Sequence, residues 1–167
     1  MLTYFALPLL DGWMYQYVEI PGIINIGEEK VLSKIEAPGW LLGLGIVAVG
    51  SLDGKYVRIH VEIDGPEKAY PIDFTIYGVH EGGSVYPANF GPFVTRYDDT
   101  NKYYAVGMTP SHPIPFSRRI EFRLIAPLTP IDEKPPLPIG YKAFITLIKI
   151  IDVEAFKRSL QRLMTSR

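Results

Sequence analysis

The sequence predicts an all-β fold, an antiparallel β-sandwich followed by one C-terminal α-helix. The clearest evidence is the segment 55–63 (Lys-Tyr-Val-Arg-Ile-His-Val-Glu-Ile), in which apolar and polar residues alternate strictly from Val57 to Ile63. Such alternation is typical of a strand with one buried and one solvated face. Similar short apolar segments recur along the chain between Gly- and Pro-containing turns. Because no helical segments alternate with them, the pattern does not fit a doubly wound α/β fold.

The first half of the chain divides into strands at recognisable turn signals. Asp11-Gly12 and Pro21-Gly22 are expected to bound the first strand, and Pro38-Gly39 the second. Asp53-Gly54 predicts a hairpin turn that leads into the alternating strand. The third strand is apolar on both faces, so we expect it to lie centrally and to be covered on both sides. The strands predicted here are 13–20, 30–36, 40–50, 55–63 and 70–79.

In the second half, a long region rich in Gly and Pro covers residues 78–117. Long connections of this kind inside a compact domain are often functional. The turn Asp98-Asp99-Thr100-Asn101 lies within it, and a second Pro-rich connector follows at 127–138. The strands predicted here are 93–97, 103–108, 118–126 and 141–151.

We expect one sandwich domain over residues 1–151, with an apolar N-terminal arm, and a terminal helix over 152–167. About eight short strands separated by turns favour a sandwich of jelly-roll or Greek-key type. Asp152 is placed to cap the helix, which should pack on its own domain or on a neighbouring subunit. Its predicted apolar stripe comprises Val153, Phe156, Leu160, Leu163 and Met164.

Composition and charge limit the classes of function. The net charge is −1, so nucleic-acid binding would require a local basic patch and is not predicted. The chain has no Cys, which excludes disulfides and thiolate chemistry. Few Asn and Gln accompany this absence, a depletion typical of proteins from hot environments. The longest internal apolar run, 40–49, is shorter than the roughly 20 residues that span a bilayer, so we expect a soluble protein without membrane insertion.

No catalytic or metal-binding pattern emerges, so we predict no enzyme activity and no cofactor. The three histidines have no partner at ligand spacing, and the acidic hairpin Asp98-Asp99 lacks the regular spacing of a calcium loop. No serine lies in a Gly-x-Ser-x-Gly elbow. The residues considered and set aside are His60, His80, His112, Glu62, Asp64, Glu81 and Glu121.

Aromatic residues crowd the Gly/Pro-rich region and form the candidate interaction surface. Such side chains stack on sugar rings or insert into partner subunits, but they also hold long loops onto a sandwich. The sequence leaves both interpretations open. The candidate residues are Tyr86, Phe90, Phe93, Tyr97, Tyr103 and Tyr104.

The stretch 97–130 combines Tyr-Asp-Asp-Thr-Asn-Lys-Tyr-Tyr, Pro-Ile-Pro-Phe and Arg-Arg-Ile-Glu-Phe-Arg-Leu-Ile-Ala-Pro. It resembles jelly-roll structural proteins of viruses and tailed phages, such as capsid, decoration and tail components. The resemblance implies a virion protein that assembles with itself or with other virion proteins, and it carries over no functional residue. The alternative is a carbohydrate- or receptor-binding module, and a weaker one is a glycan-active enzyme.

Overall fold

The computed structural model describes residues 10–65, 72–82, 91–110 and 112–165. Over these residues the chain forms ten β-strands and two α-helices, α1 (Ile76–Gly82) and α2 (Val153–Thr165). The strands are β1 (Trp13–Ile24), β2 (Glu29–Ile35), β3 (Gly39–Val49), β4 (Arg58–Ile63), β5 (Ile72–Thr75), β6 (Phe93–Asp98), β7 (Tyr103–Met108), β8 (Ile114–Phe116), β9 (Ile120–Ile125) and β10 (Ile139–Ile150).

The strands form two antiparallel sheets. The first sheet has the order β1-β10-β3-β7-β6, with β8 also paired to β3, and the second has the order β2-β9-β4-β5. Apolar residues from both sheets meet in one hydrophobic core, for example Ile46 and Val106 of the first sheet and Val61 and Phe122 of the second. The predicted all-β sandwich is therefore confirmed, and β3 is a central strand as expected. The expectation that β3 is covered on both sides was wrong, because residues of its outer face such as Val47 are only half-buried.

The alternation in segment 55–63 produces the predicted two faces. Ile59 and Val61 are buried, whereas Arg58 is exposed and pairs with Asp73 across the outer face of the second sheet. The neighbouring strand β9 behaves in the same way, with Ile120, Phe122 and Leu124 in the core. Burial of these apolar side chains supplies the main driving force for packing the two sheets against each other.

Three turn and strand predictions were wrong. Pro21-Gly22 does not end β1, because β1 is an edge strand and an edge can accommodate a residue without an N–H. Asp53-Gly54 does not form a hairpin, since β3 and β4 lie in different sheets and a 3-10 turn, Leu52–Tyr56, connects them. The predicted strand 70–79 becomes β5 followed by helix α1, whose buried Ile76 and Val79 have the three-residue spacing of a helix face.

Helix α2 begins where it was predicted, but its apolar stripe is only partly buried. Asp152 Oδ1 accepts a hydrogen bond from Ala155 N at 2.9 Å, which confirms the expected cap. Phe156 is buried and its ring lies 6.1 Å from that of Trp40, whereas Val153 and Met164 are exposed. The helix thus contacts the first sheet mainly through one turn.

Candidate functional site

Four connections meet at one end of the sandwich. Val49, at the end of β3, pairs with Tyr103 and Gly140, and Arg58, at the start of β4, pairs with Thr75 and Ile125. This register brings together the β3–β4 turn, helix α1 after β5, the β6–β7 hairpin tip and the β9–β10 connector. We refer to this region as the loop end.

Lys55 is the central residue of the loop end. Its side chain is buried, and its Nζ lies 3.0 Å from Asp99 Oδ1 and 2.8 Å from Asp132 Oδ2. Asp99 belongs to the hairpin tip and Asp132 to the β9–β10 connector. One ammonium group therefore holds three separate segments of the chain together.

Three tyrosine rings surround the Lys55 ammonium. Its Nζ lies 5.5 Å from the ring centre of Tyr56, 5.8 Å from that of Tyr97 and 6.0 Å from that of Tyr104. These distances allow cation–π attraction. Tyr104 also donates a hydrogen bond to Asp99 at 2.7 Å, and Tyr56 donates one to Asp132 at 3.0 Å. We call Lys55, Asp99, Asp132 and these three tyrosines the Lys55 cluster.

A second layer of hydrogen bonds fixes the connector. The buried carboxylate of Asp53 accepts hydrogen bonds from Ile131 N at 3.1 Å and Asp132 N at 2.7 Å. Glu133 accepts hydrogen bonds from Leu52 N at 2.9 Å and from Lys102 Nζ at 2.8 Å. The β3–β4 turn is therefore held in place by the Asp53 and Glu133 carboxylates, and not by the strand-to-strand hydrogen bonds of a hairpin at Asp53-Gly54.

The pKa values of the ionisable groups in the Lys55 cluster are shifted away from neutral pH. Burial alone would lower the pKa of Lys55, but its hydrogen bonds to Asp132 and Asp99 outweigh this and raise it. The hydrogen bond from Tyr104 lowers the pKa of Asp99, and the bond from Lys55 lowers that of Asp132. Burial and the bond to Asp132 raise the pKa of Tyr56 to about 12. General acid–base catalysis needs a pKa near the working pH, and these shifts run in the opposite direction.

The six aromatic candidates do not share one surface. Tyr86 and Phe90 lie outside the described residues. Tyr97 and Tyr104 are opposite each other in the β6–β7 ladder and face the interior, where Tyr104 is fully buried and the two rings meet edge to face at 5.3 Å. Phe93 and Tyr103 are exposed.

A shallow depression of about 560 Å³ lies on the outer face of the first sheet. Val47 and Ala105 form its apolar floor, and Tyr103 lines it on one side. Arg96 and Asn101 both hydrogen-bond Asp98 there, at 2.7 and 2.9 Å, and the bonds from Asn101 and Arg96 lower the pKa of Asp98 to about 2. The depression therefore offers an aromatic ring beside fixed polar groups.

The acidic hairpin does not bring its carboxylates to one point. Asp98 binds Arg96 and Asn101 on the outer face, whereas Asp99 binds Lys55 and Tyr104. The described residues contain no group of three or more His, Asp or Glu side chains arranged to hold a metal ion. Of the histidines, His60 lies 3.2 Å from Asp73, and His80 stacks on Tyr97 with ring centres 3.8 Å apart.

Asp64 organises the opposite end of the sandwich. Its carboxylate accepts hydrogen bonds from the backbone N–H groups of Ser117, Arg118 and Arg119 at 2.8, 2.6 and 3.2 Å, and from the Ser117 hydroxyl at 2.8 Å. Burial alone would raise the pKa of Asp64, but these donors hold it far below its usual value. The sequence analysis considered Asp64 as one of several possible catalytic carboxylates. In the structure its carboxylate holds the loop between β8 and β9.

Sequence reasoning missed the Lys55 cluster. Lys55, Asp99 and Asp132 come from three distant parts of the chain, and no local spacing indicates that they meet. One signal was available for the tyrosines. Tyr103 and Tyr104 are consecutive in a strand, so they must point to opposite faces of the sheet.

The comparisons with known proteins assign no family. No family model matches the chain, and no curated protein is significantly similar to it. Neither of the helices described is long and apolar enough to cross a membrane.

Proposed function

We propose that this chain is a non-enzymatic structural protein of a virion or virus-like particle, and that it works by self-association or by binding other virion proteins. The observation that carries the proposal is the nested pairing of its strands. β1 pairs with β10, β2 with β9, β3 with β7 and β4 with β5, all antiparallel.

Nested pairing of this kind results when one long antiparallel ribbon is rolled up into two sheets. That winding supports a jelly roll, an architecture used by viral capsid proteins, in agreement with the resemblance of stretch 97–130. The fold alone does not define a function, because lectin domains and cupins share it.

The loop end gives the proposal further support. The Lys55 cluster joins three connections through ion pairs and hydrogen bonds. The pKa values of its ionisable groups are shifted away from neutral pH, so their charges do not change there. An assembly protein needs surfaces of fixed shape more than it needs reactive groups.

Sedimentation velocity of the purified chain over a wide concentration range tests this proposal. We expect discrete oligomers whose population rises with concentration. A single monomeric species at every concentration, together with no binding to other virion proteins, would contradict it.

A second candidate function is a carbohydrate-binding module, favoured by the depression beside Tyr103. Sugar rings stack on exposed aromatic faces, and Arg96, Asp98 and Asn101 could hydrogen-bond their hydroxyls. A glycan array tests it with the variant Tyr103→Ala, and Tyr15→Ala, which removes an exposed ring from β1, is the matched control. Loss of binding only in Tyr103→Ala would support this function at the depression. Equal binding by both variants and the wild type would refute the depression as the sugar site, and no binding by the wild type would refute the function.

A further inference from the structure

The free edges of the two sheets differ in how they are protected. Natural edge strands avoid unwanted pairing by being short, by carrying charges or Pro, or by forming bulges. β5 has four residues and β8 has three. The ladders of β2 and β6 each contain a register shift, and both strands carry charged residues, including Lys34 in β2 and Arg96 in β6.

The edge strand β1 lacks most of these protections. It has 12 residues and pairs with β10 in one continuous register from Trp13 to Ile24. Its single charged residue, Glu19, lies 2.6 Å from Lys142 and is neutralised by it. Pro21 removes one donor near the far end of the strand. Of the strands in the described part of the chain, β1 pairs only with β10.

The side chains of β1 add an exposed apolar surface to this edge. Tyr15 and Tyr17 project together from the outer face of the first sheet, and Ile23 follows on the same strand. All three are more than half exposed, at 55, 52 and 57%. Large apolar side chains grouped on one unprotected edge indicate an interaction surface.

We propose that β1 pairs with β1 of a second copy of this chain, antiparallel and about a two-fold axis, between Tyr15 and Ile23. This inference rests on the proposed self-association and names the surface that performs it. The first sheet of one copy and the first sheet of the other then form one continuous sheet across the dimer.

A second copy is the partner that this edge fits best. An antiparallel strand edge is complementary to itself, so a two-fold axis satisfies the free backbone groups of both copies at once. The charge of Glu19 is already compensated by Lys142, so two such edges meet without repulsion. The paired segment, Tyr15 to Ile23, is nine residues a side, fewer than the roughly 20–30 of a standard interface, so we expect a dimer that dissociates on dilution.

The test compares two Lys substitutions at equally exposed apolar positions. Tyr17→Lys gives β1 the charged protection that the other edges already carry, whereas Val31→Lys, at 58% exposure on β2, adds a charge to an edge that is already protected. Light scattering after size exclusion should show a concentration-dependent dimer for the wild type and Val31→Lys, and a monomer for Tyr17→Lys at the same concentrations. Thermal melts followed by circular dichroism show whether both variants are folded.

Amide hydrogen exchange of the wild type supplies an independent measurement. We expect the amides of β1 that point away from β10 to be protected at high concentration and to exchange faster on dilution. Protection of these amides in a monomer would show that another part of the chain covers the edge, which overturns the inference. Oligomers that persist unchanged in Tyr17→Lys overturn it while leaving the proposed function in place. A wild type that is monomeric throughout overturns the inference, and it counts against the proposed function only if the chain also binds no other virion protein.

Discussion

Replacing Lys55 by Met tests the central role of the Lys55 cluster. Met preserves most of the side-chain volume and removes the ammonium, so Asp99 and Asp132 lose a shared partner at 3.0 and 2.8 Å. Hydrogen bonds to charged groups contribute about 1.5–3 kcal/mol each when both partners are dry. The side chains of Asp99 and Asp132 are 55 and 36% exposed, so water compensates part of this loss.

We therefore expect Lys55→Met to lower the free energy of unfolding by about 2–3 kcal/mol. In a chain of this length that corresponds to a fall in Tm of about 4–12 °C. Equilibrium unfolding in guanidinium chloride measures the change. The control is Lys34→Met, which removes an exposed lysine 2.6 Å from Glu36 and should leave the midpoint unchanged.

A double-mutant cycle separates the ion pair from packing. If the carboxylate partner causes the loss, Asp132→Asn should cost much less in the Lys55→Met background than in the wild type. A loss below about 0.5 kcal/mol for Lys55→Met would refute the reasoning, because a change of that size is typical of surface positions.

Two further predictions concern the opposite end of the sandwich and the packing of β3. Asp64→Asn should destabilise the fold by about 2–4 kcal/mol at neutral pH, because it removes the charge that three backbone donors bind. The folded pKa of Asp64 lies below its unfolded value, so its contribution is present above about pH 4 and is lost as the pH falls. Thermal melts between pH 7 and 2 should show a flatter pH dependence for the variant; identical profiles would contradict this. Gly39→Ala should cost about 3 kcal/mol or more, because a Cβ there overlaps the carbonyl oxygen of Ile148, and an unchanged Tm would contradict that packing.

The fold class was predictable because its evidence is local. A strand at the surface of one core must alternate, and Val57, Ile59 and Val61 are buried as the pattern of segment 55–63 predicts. The same local logic failed at Asp53-Gly54, because the Asp53 carboxylate binds the backbone of Ile131 and Asp132 instead of closing a hairpin. A turn signal gives no information about a partner that lies far away in the chain.

The candidate site was harder to predict because its chemistry is long-range. In the sequence, Lys55 is an ordinary lysine at the start of a predicted strand. Only the pairing of the strands in the two sheets places Asp99 and Asp132 beside it. The aromatic residues could be recognised in the sequence as a group. Which of them lie on the same face of the sheet depends on their alternation along β6 and β7. Tyr104 entered the core, whereas Tyr103 remained at the outer depression.

The proposal that this chain assembles into a virion structure is tested most directly by electron microscopy of the purified protein at high concentration. We predict particles of uniform size and symmetry that are built from the two-fold β1–β1 dimer, the species expected to form first as the concentration rises. Only isolated monomers, or irregular aggregates without a repeating contact, would contradict the account.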